Sequence, residues 1–213
     1  MNNEIKLNFK YSVELEAERV RNTLDKLDWF LKNHYKTESL IFPKDVSVGD
    51  SKDEILEKVK KEFDINKYKD VEESLKKLFD LYKSRLLSFV REIDSTPIND
   101  VNVILTKYGI AGSYNVPNTV IVNFSKFFNI GLLRILLHEI IHLHIQHLID
   151  LYKISQWQKE IIVDSLFEKA FPDLVKKQDY PIDVSATKKI FDKYYPNLEA
   201  VVDNVSKERG VQT

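Results

Sequence analysis

Residues 131–150 read GLLRILLHEIIHLHIQHLID, and they contain His138, Glu139 and His142 in the spacing H-E-x-x-H. On an α-helix, residues four apart lie on the same face, so the two imidazoles can point at one metal ion. Glu139 lies one step round the helix, where it can reach a water molecule on that ion without being a ligand itself. The spacing therefore predicts a helix that carries a metal site suited to hydrolysis.

The residues around the motif are apolar on nearly every side of the predicted helix, which is typical of a helix buried in a protein core. They are Leu132, Leu133, Ile135, Leu136, Leu137, Ile140, Ile141, Leu143, Ile145, Leu148 and Ile149. Two histidines and a glutamate are costly in such a place unless they are paired or bind a ligand. One alternative is that they are core polar residues satisfied by hydrogen bonds. Another is that the motif arose by chance in a helical interaction protein.

A second helix is predicted for residues 155–171, SQWQKEIIVDSLFEKAF. Ser155 with Gln158 three residues later forms a capping-box pattern, and the segment stops before Pro172. Glu160 and Asp164 are four residues apart and share one face of this helix. Both carboxylates are therefore candidates to meet the two histidines.

Zinc in hydrolases usually has three protein ligands and leaves one position open. We expect Glu160 to be the third ligand, and Asp164 to accept the free ring N–H of a ligating histidine as a second-shell residue. Asp164 is also the first alternative as ligand, followed by Glu168. A helix rises 1.5 Å per residue, so Glu160 can come back to the histidines only if the first helix ends near residues 147–149, with 150–154 as the connection.

These residues resemble the gluzincin group of zincin metallopeptidases, which includes thermolysin-like and M1-aminopeptidase-like enzymes. The pattern of that group is HExxH followed by Glu in an E-x-x-x-D, and it stands here as HEIIH and EIIVD, with seventeen residues between His142 and Glu160. Lys159 stands where Asn often precedes this Glu. The resemblance covers residues 118–171, and it implies a zinc peptidase with a small mixed sheet packed on the HExxH helix.

The same resemblance implies further site features. In zincins the strand before the active helix is typically an edge strand that pairs with an extended peptide, and residues 118–124 occupy that position. An ordinary sheet strand is the alternative. A His or Tyr from the C-terminal part usually lies over the oxyanion, and Tyr180, Tyr194 and Tyr195 are the candidates here.

Composition limits the classes of partner. The chain has 32 basic and 33 acidic residues and no cysteine, so a net charge of −1 suggests neither nucleic acid nor a membrane surface as a partner. Without thiolates, a metal must be held by His and carboxylate. The N-terminal residues show no signal-peptide pattern, so we expect a cytoplasmic protein.

The rest of the chain predicts an α+β fold in one zincin-like domain, 1–213. Residues 51–95 form a helical insertion or scaffold, and the catalytic core covers about 99–171. Strands are predicted at 4–11, 40–42, 101–106 and 118–124, with a loop at 109–117. Helices are predicted at 13–35, 51–63, 71–93, 184–195 and 197–207. His34, His144 and His147 are expected to lie outside the site, as surface or second-shell residues.

The sequence therefore predicts a zinc-dependent metallopeptidase that acts on a peptide or protein substrate. Zn²⁺ would be bound by His138, His142 and Glu160, with Glu139 as the general base. The alternative function is a catalytically silent or self-inhibited binding or regulatory protein that retains a structural metal site.

Overall fold

The computed structural model describes residues 4–93 and 98–208, which form an α+β fold around a four-stranded mixed sheet. The strands are β1 (Lys6–Lys10), β2 (Asp100–Thr106), β3 (Gly112–Asn115) and β4 (Thr119–Asn123). Their order in the sheet is β1-β2-β4-β3. Strands β1, β2 and β4 run parallel to one another, whereas β3 runs antiparallel to β4 and forms one edge of the sheet. Residues 1–3, 94–97 and 209–213 of the predicted domain, which include the end of the predicted scaffold at 94–95, lie outside the described residues.

Helices make up most of the described chain. They are α1 (Val13–Asp25), α2 (Leu27–Lys32), α3 (Lys52–Glu62), α4 (Ile65–Glu92), α5 (Ile130–Leu151), α6 (Gln156–Ala170), α7 (Ser185–Tyr194) and α8 (Leu198–Glu208). Ser51 and Glu54 form the predicted capping box at the start of α3. No helix in the described ranges combines the length and the apolar composition that a membrane crossing requires.

The HExxH helix α5 lies at the centre of the molecule. It packs on the strands β3 and β4 and on the helices α4, α6 and α8. Its residues Leu133, Leu136, Leu137 and Ile140 have no exposed surface. The predicted core helix is confirmed in position and burial, and a smaller apolar cluster joins α1 to α3.

The turn between α5 and α6 sets where α6 begins. Helix α5 continues to Leu151, two residues beyond the predicted limit, and the N–H of Ile154 then bonds to the carbonyl of Ile149 at 3.0 Å. Lys153 takes a positive φ of 53°, so the chain reverses without a glycine. Ser155 does not cap the backbone of α6 as predicted, because its hydroxyl contacts the Gln158 side chain instead.

Several predicted elements differ in extent. The helix predicted at 13–35 is broken at Lys26 into α1 and α2, and the strand predicted at 40–42 is a single bridge between Ile41 and Gly109. Helix α4 begins at Ile65 because Asp64 caps it, six residues before the predicted start at 71.

The prediction that residues 118–124 form the edge strand is wrong. The corresponding strand, β4, pairs with β2 on one side and with β3 on the other, so its backbone groups are used within the sheet. The outer strand next to β4 is β3, which lies within the segment predicted to be a loop. Its sequence GSYN has little strand propensity, and pairing with β4 supplies its extended conformation.

Candidate metal centre

Three side chains from α5 and α6 converge on one point. His138 Nε2 lies 3.0 Å from His142 Nε2 and 3.5 Å from Glu160 Oε2. The third side of the triangle, from His142 Nε2 to Glu160 Oε2, is 3.3 Å. This is the only group of three potential ligands found among the residues that the structure describes. The residues predicted as ligands are therefore brought together.

The size of this triangle suits a tetrahedral metal ion. Zn²⁺ binds His and carboxylate at about 2.0–2.2 Å, which places neighbouring ligand atoms of a tetrahedron about 3.3 Å apart. The three observed separations lie within 0.3 Å of that value. Moreover, a carboxylate and two imidazole nitrogens that meet in a buried place form a donor set that a shared cation would stabilise. The donor set fits zinc, although it does not exclude other divalent ions that bind nitrogen and oxygen.

The two imidazoles differ in their electrostatic surroundings. Burial lowers the pKa of His138, but hydrogen bonds to Asp164 and Glu160 outweigh it and raise that pKa to about 10. Burial dominates at His142 and lowers its pKa to about 4. Burial also raises the pKa of Glu160, but His142 and His138 more than reverse this and hold it well below its usual value. The centre therefore favours one positive charge between the rings beside an ionised Glu160.

Asp164 lies behind His138 in the predicted second-shell position. Its Oδ1 is 3.3 Å from His138 Nδ1, so the Nε2 atom is left to face Glu160 and His142. The Tyr180 hydroxyl donates to the other oxygen of Asp164. This chain of contacts fixes the orientation of the His138 ring.

His142 is held in a different way. Tyr114 of β3 stacks on its ring with the centroids 4.8 Å apart and the planes at 12°. His142 Nδ1 is buried and has no hydrogen-bond partner within the ranges 4–93 and 98–208. Packing by the edge strand, rather than a second carboxylate, therefore sets the orientation of this ring.

Glu139 lies beside the three ligand candidates and is not one of them. Its side chain is buried, which raises its pKa to about 7, and the charge of Glu160 adds to the effect. A Cβ atom on Gly112 would lie only 2.5 Å from Glu139 Oε1. The glycine on the edge strand thus leaves the space that the carboxylate occupies. A carboxylate with a pKa in this range can both accept and return a proton near neutral pH.

The centre opens into a cleft of about 1440 Å³. One wall is β3, and other walls come from α1, α2, α6 and residues 175–180. The Asn123 N–H bonds to the Ala111 carbonyl at 2.9 Å, and pairing alternates along an antiparallel ladder. The backbone groups of Gly112 and Tyr114 therefore point away from β4, towards the free edge.

The structure also separates residues that the sequence left as candidates. Glu168 lies at the cleft rim, with Oε2 3.8 Å from Lys188 Nζ. Tyr194 and Tyr195 do not line the cleft, and the Tyr195 hydroxyl donates to Glu92 at 2.6 Å. Tyr180 does reach the centre, but through Asp164.

The other histidines lie outside the centre, as predicted. His34 and His147 are exposed. His144 is buried on another face of α5, where Nδ1 lies 2.8 Å from the Ile140 carbonyl and Nε2 accepts the Ile98 N–H at 3.3 Å. The expectation of a surface or second-shell position is wrong for His144, which is a core residue satisfied by backbone groups.

The cleft residues that were not predicted as part of the site include Arg19 of α1, Tyr35, and Tyr114 of β3. Arg19 lies among the charges of an amphipathic helix, and Tyr114 lies in a segment with the composition of a loop. Gly112, two residues before Tyr114, could not be recognised from the sequence either, because its role depends on Glu139, which is distant in sequence.

No family model, curated protein or solved structure matches this chain.

Proposed function

We propose that this protein is a zinc-dependent metallopeptidase with a zincin-like fold. The observation that carries the proposal is the triangle of His138, His142 and Glu160 with the buried Glu139 next to it. A free sheet edge borders the same cleft, and this is the geometry that an extended peptide needs. Metal ligands, a proton-transfer group and a peptide-binding edge thus lie at one place.

His138, His142 and Glu160 would hold the zinc ion, and their spacing suits its tetrahedral coordination. Zinc bound there would supply a Lewis acid that polarises a carbonyl group and makes water more acidic. Asp164 and Tyr180 keep His138 in the tautomer that presents Nε2 to the centre.

Glu139 performs the proton transfer in this mechanism. Its carboxylate accepts a proton from the attacking water and returns it to the nitrogen of the leaving amine. Burial favours this role because it brings the pKa of Glu139 close to neutrality, so both states of the carboxyl group are accessible. The absence of a side chain at Gly112 keeps the carboxylate in position.

The peptide would add to the sheet alongside β3. The outward backbone groups of Gly112 and Tyr114 provide hydrogen bonds to its main chain, and these bonds do not depend on the substrate's sequence. They would hold the scissile bond near Glu139, because Gly112 is in direct contact distance of that residue.

Lys159 is the cationic group placed to stabilise negative charge on the carbonyl oxygen. Its Nζ lies 3.7 Å from Glu160 Oε1 and donates to the Tyr114 hydroxyl at 3.2 Å. A fixed positive charge in a cleft with restricted water lowers the energy of a developing oxyanion. This assigns to Lys159 the role expected of a C-terminal tyrosine.

The proposal is tested by the substitution Glu139→Gln, with Glu168→Gln as a matched control at the cleft rim. We expect zinc-loaded wild type and E168Q to cleave casein or a mixed peptide pool, and chelation of the metal to stop both. E139Q should bind zinc normally and lose at least about 100-fold in kcat, since it lacks the proton acceptor. Undiminished cleavage by E139Q would refute the mechanism. Zinc binding without cleavage by wild type would favour a silent regulatory protein.

A further inference from the structure

We propose that Arg19 is a carboxylate-binding group at one end of the cleft, and that it selects peptides by their free C-terminal carboxylate. This inference rests on the proposed peptidase function and narrows its substrate class. It makes the protein a carboxypeptidase-type enzyme that removes residues from the C-terminal end of a chain.

The first observation is an arginine with two donor atoms that have no hydrogen-bond partner in the described part of the chain. Arg19 lines the cleft, and its Nε and Nη2 atoms are buried with no hydrogen-bond partner among the described residues. Leaving donors of a charged group unpaired away from water is costly, and such a group is usually kept for a ligand. A guanidinium presents a planar fork that matches the two oxygens of a carboxylate.

Neighbouring carboxylates do not use these donors. The oxygens of Glu16, which is buried nearby, accept hydrogen bonds from the Tyr68 and Thr106 hydroxyls and from the backbone N–H of Lys107. The charges of Glu139 and Glu16 favour the charged form of Arg19, but burial is the larger effect and lowers the pKa of the guanidinium. An incoming carboxylate could therefore accept hydrogen bonds from the Nε and Nη2 atoms of Arg19, which have no carboxylate partner within the described ranges.

The second observation is the position of Arg19 relative to β3. Its Nε lies only 2.6 Å from where a Cβ of Gly109 would be, and Gly109 precedes β3 by three residues. A peptide that pairs antiparallel with β3 would run with its C-terminal side towards Gly112 and then Gly109. The carboxylate of the peptide would then approach Arg19.

The third observation is that the edge closes at this end. Gly109 already pairs with Ile41, with N–H to carbonyl distances of 2.8 and 3.2 Å, and Ile41 lines the cleft. A peptide can therefore not continue pairing along the chain beyond this bridge. A closed end with a buried cation suits a chain terminus that carries negative charge, whereas it repels an N-terminal ammonium group.

The experiment uses one pool of N-acetylated peptides prepared in two forms, with a C-terminal carboxylate and with a C-terminal carboxamide. The variant is Arg19→Gln, and Lys126→Gln is the matched control, because Lys126 is an exposed cation that also lines the cleft. The readout is the ratio of kcat/KM for acid over amide within each zinc-loaded protein, with the cleaved bonds located by mass spectrometry.

For wild type and K126Q we expect the acid form to be preferred by roughly ten-fold or more, as a charge-assisted bidentate contact would give. The cuts should lie close to the C-terminus. In R19Q the ratio should fall close to one. Equal use of both forms by wild type would overturn the inference, as would a preference that persists in R19Q or one that follows an internal Asp or Glu.

Failure of the peptidase function is distinguished by a binding arm. The zinc-loaded variants E139Q and E139Q/R19Q are titrated with the same two peptide pools. Tighter binding of the acid form that disappears in the double variant supports Arg19 as the carboxylate site, even if wild type cleaves nothing. No difference between the two variants would overturn it.

Discussion

At the level of single residues, the centre depends on polar groups placed in an otherwise apolar helix. His142 is 2% exposed and Glu139 is 8% exposed, in the middle of residues that have no contact with water. Hydrogen bonding explains His144 on the same helix, which uses the Ile140 carbonyl. His138 and His142 differ from it, because their Nε2 atoms face each other at 3.0 Å and both lie close to Glu160 Oε2. A cation shared with Glu160, as we propose, would account for that arrangement.

The pH dependence of the proposed activity follows from Glu139. The group acts as a base only when it is ionised, and burial raises its pKa from 4.5 to about 7. A zinc ion bound at the proposed centre would favour the ionised form and lower that pKa again. We therefore expect kcat/KM to fall as the pH drops, with a midpoint between 4.5 and 7. A pH–rate profile of zinc-loaded wild type measures it, and a rate that stays constant down to pH 4.5 would contradict this role.

At the level of elements, the position of Glu160 depends on the turn that joins α5 to α6. The turn reverses the chain within four residues, 152–155, because Lys153 adopts a left-handed conformation. A side chain in that conformation costs roughly 1–2 kcal/mol relative to glycine, which tolerates it.

Replacing Lys153 by Gly should therefore stabilise the protein by about 0.5–1 kcal/mol, since the relief of strain exceeds the added freedom of the unfolded chain. Urea unfolding of wild type, K153G and the control K153A measures the free energy of unfolding. K153A should remain close to wild type, because alanine has the same Cβ. A loss of stability in K153G would show that the turn is not strained as described.

The elements also show which features sequence reasoning can reach. Helices α5 and α6 and strands β2 and β4 follow from periodicity and β-branched composition, so His138, Glu139, His142 and Glu160 could be placed from spacing alone. β3 could not, because GSYN becomes a strand only by pairing with β4. For the same reason the edge was assigned to the wrong strand. The buried position of the Arg19 side chain could not be predicted either, because it depends on close contact with Gly109, which is distant in sequence.

At the level of the whole molecule, α5 joins the sheet to the helical remainder and carries the centre between them. Its apolar residues pack against both parts, while His138, His142 and Glu139 face the cleft. This buried packing gives the three side chains a rigid support. The N-terminal helices α1 and α2 contribute Arg19 and part of the cleft wall, so the region before β2 also belongs to the proposed site.

The central claim is that two helices bind one metal ion through three side chains. Elemental analysis of the untagged protein after dialysis against zinc tests it most directly, with His142→Ala as the test variant and His147→Ala, an exposed histidine on the same helix, as the control. We predict about one zinc ion per chain for wild type and H147A and almost none for H142A. Wild type without bound metal, or H142A with as much metal as wild type, would contradict the account.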